Sequence, residues 1–423
     1  VALARRADAA WSAWNPATGL YSPTYVSPSD WLLGLDGCAS SAGLGSPGIA
    51  YYGWKLTPLA NQGYEFTHLA TQCQSAVRIP RLGRWRVELT VLTKSKLHDI
   101  ASREFTLRDI VVASIGDSYS SGEGNPDKNN DSPFPPGNEQ WKDAQCHRSA
   151  SGWPFRAALE LESRTTSVTF LSLACSGAEV RDLIFTGYTG IEEGRELSGQ
   201  LTALRDTLGL SGQSPTRAVD ALLISAGVNN MHFSDLLTSC AESVGNDCTK
   251  GSVAYSVNGG LLGLPLRYQE LDSRIRHTVR APSVFVAEYP SRVFTNGDDR
   301  HGGCGIFEAG MNSDEAHWIS DRGDGLNAAI AAAADLYGWT YIGGVRDAFR
   351  GHGYCADDDD TWFRSWSGSQ KLQADENGTA HPNRDGHRAV AALAAPVVQA
   401  ELERRFLLRR GEEAPCCVQP VER

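Results

Sequence analysis

A chain of 423 residues is long enough for two domains, and 41% hydrophobic with 21% charged residues is the balance of a globular protein with a sizeable core. Thirty-nine Lys and Arg against 50 Asp and Glu give a formal charge of −11, with no basic stripe, which argues against nucleic acid as a partner. No apolar run approaches the roughly 18–20 residues needed to cross a bilayer.

The first twenty residues carry no periodic signal. "IAYYGWKL" (49–56), "RWRVELTVL" (84–92) and "EFTLRD" (104–109) read as short strands between Gly/Pro/Ser turns. The second alternates strictly, with Trp85, Val87, Leu89 and Val91 opposite Arg84, Arg86, Glu88 and Thr90. Cys38, Trp54 and Cys73 bracket these strands as a disulfide and a core Trp do in Ig-like sandwiches. Residues 1–108 are therefore expected to form a small all-β sandwich domain. Trp54 and Trp85 would suit a surface or carbohydrate contact, but fit a core better.

From residue 109 the rhythm changes to alternating strand and helix. Strands are predicted at 109–115, 168–173, 220–226, 283–288 and 339–343. Helices are predicted near 152–163, 197–208, 264–280, 324–337 and 384–407, and Gly338 stands where a C-cap glycine belongs. Continuous apolar strands alternating with helices predict a doubly wound parallel five-stranded sheet, a flavodoxin-like α/β/α sandwich. It would span residues 109–410, followed by a tail at 411–423. "ADDDDTW" (356–362) reads as a solvated loop. "GGLLGLPL" (259–266) reads as core before acyl-pocket lining.

Ten cysteines in an even count, without the Cys-x-x-Cys spacing of a zinc site, suit disulfides in an oxidising compartment. Neighbours along the chain suggest Cys38–Cys73, Cys146–Cys175, Cys240–Cys248 and Cys304–Cys355, leaving the vicinal pair Cys416 and Cys417 without an obvious partner. The first residue is Val and no signal-peptide pattern precedes it, so the sequence reads as a mature secreted chain.

Open parallel sheets collect functional groups in loops at the carboxyl ends of their strands. Gly116-Asp117-Ser118 follows the first strand, "ACSGAEV" with Gly177 the second, and "GVNN" with Asn229 the third; "HPNRDGH" with His381 precedes the last helix. These four blocks, in this order, resemble those of the SGNH (GDSL-type) hydrolases. "GDSYSSGEG", "ACSGA" and "HPN" look especially like the secreted actinobacterial-type esterases and lipases of that superfamily. The resemblance covers roughly residues 109–400.

It implies Ser118 as nucleophile and His381 as base, through an acyl-serine intermediate. It implies an oxyanion hole from the Ser118 backbone N–H, the Gly177 N–H and the Asn229 amide. Neither cofactor nor metal is implied. The substrate would be a small-molecule or lipid ester. Two departures stand out. Many relatives place an Asp three residues before the His, where this chain has Gly378, so the carbonyl of Gly378 or Thr379, or the carboxyl of Asp375 or Glu376, is expected to orient His381. Asn230 stands where Asp commonly follows the Asn.

Other motifs carry less. Asp117 is expected to hold its loop, and His147 to be structural beside Cys146. His387 competes with His381 as base. "HGGC" (301–304) lacks the Gly-x-Ser-x-Gly nucleophile that would give it meaning. Asp127, Asn129 and Asp131 mimic a calcium loop without its Gly and Glu. Asn377-Gly378-Thr379 is a formal glycosylation sequon. The competing readings are an inactive adhesion or polymer-binding protein, an acyltransferase or carbohydrate acetylesterase of the same fold, and, third, a metal-dependent hydrolase.

Overall fold

A computed structural model describes residues 1–59, 65–132, 137–185, 187–209, 217–242, 247–295, 311–357 and 359–412. Two units separate: Val1–Trp14, Tyr21–Val111 and Ala158–Phe170 form one, and Asn15–Leu20, Val112–Ala157 and the chain from Leu171 onward form the other.

In the first unit, β1 (Trp31–Asp36), β2 (Ile49–Pro58), β3 (Phe66–Ala70), β4 (Gln74–Ile79), β5 (Gly83–Thr93) and the start of β6 (His98–Gly116) pair antiparallel. β1 joins β4 in one sheet, while β2 lies between β3 and β5 in another, with β6 beyond β5. Leu33 and Leu35 of the first sheet share one core with Trp54, Leu56, Trp85, Val87 and Leu107 of the second. Trp54 and Trp85 are 4% and 1% exposed, so both are core residues rather than a binding surface. The Cys38–Cys73 disulfide links the end of β1 to the start of β4.

The last residues of β6 also pair with β7 (Thr166–Ser172) and with β8 (Ala221–Ser225), and the sheet goes on through β9 (Val284–Ala287) and β10 (Thr340–Ile342). Their order is β7-β6-β8-β9-β10, with β8 parallel to both β6 and β9, and β9 parallel to β10. Counted along the chain this is 2-1-3-4-5, the flavodoxin-like order, and its switch point lies between β6 and β8. Every residue of β8 and β9 is buried, as strands covered on both faces require.

The helices that bear on the site are α1 (Ser118–Ser121), α2 (Trp153–Leu161), α3 (Gln200–Thr207), α4 (Phe233–Glu242), α5 (Gly251–Thr278), α6 (Ser313–Tyr337), α7 (Trp366–Gln373) and α8 (Arg384–Glu412). Helix α6 starts at a capping box between Asn312 and Glu315 and stops at Gly338, φ +71°. Helix α5 starts well before the expected residue 264, so 259–266 is helix interior, with Leu264 buried and Leu262 82% exposed. Gly259, Gly260, Gly263 and Pro265 hide the middle of this helix from propensity. Gly260 has a packing reason, because a Cβ there would collide with the Asn230 carbonyl.

Disulfides also join Cys146 to Cys175 and Cys240 to Cys248. Cys355 is disulfide-bonded, while Cys304, the "HGGC" run, Cys416 and Cys417 lie outside the described residues. Among the described residues, no helix is long and apolar enough to cross a membrane.

Candidate active site

β6 ends at Gly116, whose φ of +138° and close approach to the Ser225 carbonyl leave no room for a Cβ. The side-chain amide of Gln200, on α3, pins this point twice: Oε1 accepts from Gly116 N at 2.7 Å and Nε2 donates to Gly116 O at 2.8 Å. Asp117 then caps α1 by accepting from Tyr119 N, and it also accepts from the hydroxyls of Ser225 and Tyr289. Burial pushes its carboxyl up to about 7 against the pull of those donors. Asp117 therefore holds the turn that presents Ser118.

Ser118 is 6% exposed, and its Oγ lies 2.8 Å from Nε2 of His381. The other ring nitrogen, Nδ1, faces the carbonyl oxygen of Thr379 at 3.2 Å. Burial holds the His381 imidazole below its ordinary pKa, opposed by the charge of Glu123 and by the carbonyls of Thr379 and Gly378. Asp375, three residues before Gly378, is engaged elsewhere: its Oδ1 accepts from Gln373 Nε2 at 2.6 Å and from Asn377 N at 2.7 Å. Glu376 is exposed. The Trp366 indole donates to its carboxylate at 3.3 Å.

Gly177 sits at φ +80°, a conformation that favours glycine, and a Cβ would meet nothing there. Asn229 Nδ2 donates one hydrogen to Ala178 O at 2.9 Å, tying the third loop to the second. Asn230, the departure from the commoner Asp, accepts from Val180 N at 3.1 Å and donates to Glu179 at 2.8 Å. An amide does both; a carboxylate would only accept.

Ser118, Gly177, Asn229 and His381 line one cleft of about 250 Å³, whose apolar wall includes Met231, Phe233, Leu236, Val293 and Ile319. Residues 259–266 do not line it. Asn377 of the sequon does. His387 is fully buried, and its Nδ1 accepts from Trp153 N at 3.2 Å, away from the nucleophile.

Sequence reasoning missed Gln200 and Glu123. The single visible signal for the second was an acidic residue set between Gly122 and Gly124 just after the nucleophile. Glu123 is buried against His147, whose Nδ1 lies 2.9 and 3.0 Å from its two oxygens. Burial alone would lower the His147 pKa, but Glu123, Asp375 and Glu192 raise it to about 9. Among the described residues His147, Glu192 and Asp375 form a group whose ligating atoms lie within 4.8 Å of one another, close enough to hold a metal ion. In the structure His147 instead bridges Glu123 and Glu192, as a protonated imidazole would.

Residues 114–389, well over half of the chain, match the GDSL-like lipase/acylhydrolase family. Among solved structures, phospholipase A1 from Streptomyces albidoflavus NA297 is 24% identical, over 69% of this chain and 98% of its own, with a TM-score of 0.46. An extracellular lipase from Streptomyces rimosus gives the same identity, coverage of this chain and score, over 99% of its own length. A carbohydrate esterase matches 88% of this chain and 93% of its own at 11% identity, with a TM-score of 0.29. No curated protein matches the sequence.

Proposed function

From the premise that the chain belongs to the GDSL-like lipase/acylhydrolase family, we propose that it is a secreted carboxylic ester hydrolase with Ser118 as nucleophile and His381 as general base. The observation that carries the reading is the 2.8 Å approach of Ser118 Oγ to His381 Nε2 inside a cleft that also holds Gly177 and Asn229.

The Ser118 hydroxyl gives its proton to Nε2 as the oxygen attacks the ester carbonyl. The carbonyl oxygen takes the developing negative charge and is met by the backbone N–H groups of Ser118 and Gly177 and the second amide hydrogen of Asn229. The imidazolium then protonates the leaving alkoxide, leaving Ser118 acylated. A water, deprotonated by the same nitrogen, releases the acid and restores the serine. Thr379 O holds the Nδ1–H tautomer throughout, the task a triad carboxylate performs elsewhere.

The apolar wall of the cleft favours the acyl chain of an aliphatic or lipid ester, with the alcohol towards the open side. Three disulfides within the described residues support an oxidising, extracellular setting. The same reading assigns catalysis to a domain from residue 109 and leaves the β domain before it outside the chemistry.

The test is hydrolysis of p-nitrophenyl esters from acetyl to palmitoyl by the wild type and Ser118→Ala. A loss of at least about 10³-fold in the variant, with its thermal midpoint retained, is expected. Equal activity in the two proteins would overturn the assignment.

A further inference from the structure

Among the described residues no carboxylate bonds His381, yet a fully buried one stands two residues beyond the nucleophile helix. We propose that Glu123 is the positioning residue for the loops that carry Ser118, Gly177 and His381 and the counter-charge for the imidazolium of His381. This rests on the reading of Ser118 and His381 given above.

The geometry is a hub. Glu123 N donates to Ser118 O at 3.2 Å, tying the carboxylate to the nucleophile turn. One carboxylate oxygen accepts from the Ser176 hydroxyl, next to Gly177. The other accepts from Gln373 Nε2 at 2.8 Å, in the segment that leads to His381. Both face Nδ1 of His147. One buried group thus bonds to the loops carrying the nucleophile, the oxyanion glycine and the base.

The neighbours of Glu123 extend the link. Asn125 Nδ2 donates both to Glu123 O and to Pro382 O, the residue after the base. A Cβ on Gly124 would stand 3.2 Å from Gly378 O and 3.6 Å from His381 Cβ, so the Glu123 turn packs directly beneath the base loop. The Cys146–Cys175 disulfide fastens the residue before His147 to the residue before Ser176.

The Ser176 hydroxyl, the Gln373 amide, the Gly124 N–H and protonated His147 keep Glu123 ionised although burial alone would raise its pKa. Of the charges around His381, Glu123 stabilises the imidazolium, and His147 opposes it more weakly. Glu192 and Asp375 act on His147. Arg364 is spent on Gly124 O and Asn125 Oδ1, and His387 is buried and neutral. A carbonyl on Nδ1 fixes the tautomer but supplies no full charge; the hub supplies it from one layer further out.

The experiment compares Glu123→Gln and His147→Gln with wild type in the pH dependence of kcat/KM for p-nitrophenyl butyrate. It also follows the His381 Cε1–H resonance through a pH titration, which needs no turnover. Removing the negative charge lowers the His381 pKa, so in Glu123→Gln the acid limb and the NMR titration both move to lower pH, by about half a unit or more. kcat is expected to fall about tenfold or more with KM nearly unchanged, since the lost stabilisation is of the protonated base. Removing the positive charge moves both readouts of His147→Gln to higher pH. Shifts of opposite sign do not arise from simple loosening of the site. Unmoved titrations, or shifts of the same sign in both variants, would overturn the proposal. If Glu123→Gln does not fold, the upward shift in His147→Gln decides alone. A wild type inactive on every ester would count against the proposed function, while the NMR shifts would still judge Glu123.

Discussion

The sandwich core and the strand-end cleft bury side chains for opposite reasons. The sandwich core cluster is apolar: Leu33, Leu56, Trp85, Leu107 and their neighbours fill space, and no group among them does chemistry. At the carboxyl ends of β6, β7 and β8 the buried set includes Asp117, Ser118, Glu123, His147, Ser176 and Asn230. Burial there costs stability unless each group is bonded, and the hydrogen bonds these groups make are what render it tolerable. Substitutions should therefore separate cleanly. Those in the first place cost stability and leave turnover per folded molecule alone; those in the second cost turnover first.

The sharpest challenge is Trp85→Ala. It should cost about 3–5 kcal/mol of unfolding free energy, read by denaturant titration, with unchanged kcat for the folded fraction. A comparable fall in kcat would break the separation. Next, Asn229→Ala should lose about 10²–10³-fold in kcat, worth about 2.7–4 kcal/mol of transition-state stabilisation, with little change in thermal midpoint.

An effect of comparable size is set by pH. His387 titrates at about 3 in the folded chain against an ordinary value of 6.5, because burial disfavours its charge. As pH falls the unfolded chain takes up that proton first. The contribution is therefore intact above about 6.5 and lost progressively down to about 3, at up to about 1.4 kcal/mol per pH unit. His387→Gln should flatten the fall of thermal midpoint between pH 7 and 4; an identical slope would remove His387 as its cause. The smallest effect should come from Asp375→Asn, whose carboxyl bonds its own loop. A change in kcat below about threefold is expected, against the roughly 10⁴-fold loss that follows removal of a true triad carboxylate.

Much of this cleft was legible in the sequence because its parts follow strands. Ser118, Gly177 and Asn229 each follow an apolar run, and His381 precedes a helix, so a parallel sheet gathers them without any contact being known. The five strands and their class followed from the same alternation. The rest depended on contacts that sequence spacing does not encode. Propensity misplaced the start of α5 because Gly259, Gly260 and Pro265 look like breakers until Gly260 is seen pressed against Asn230. Gln200 and Glu123 were silent because polar side chains are ordinarily solvated, and only burial reveals them as fasteners. The orienting group of His381 stood open between Gly378, Thr379, Asp375 and Glu376. The geometry places the Thr379 carbonyl on Nδ1 and spends Asp375 on Gln373 and Asn377.

That carbonyl has an evolutionary consequence. A carboxylate orienter is lost by one codon change, whereas every amino acid at position 379 still carries a main-chain oxygen. The proposed dyad is thereby mutationally robust at the position where triads are fragile. The vulnerability moves one residue along, to Ala380, which adopts φ +59° immediately before the base. Drift can rewrite the side chain at 379 without removing the carbonyl; what selection must guard is a backbone shape, and at 380 it must keep out the branched residues that cannot take it.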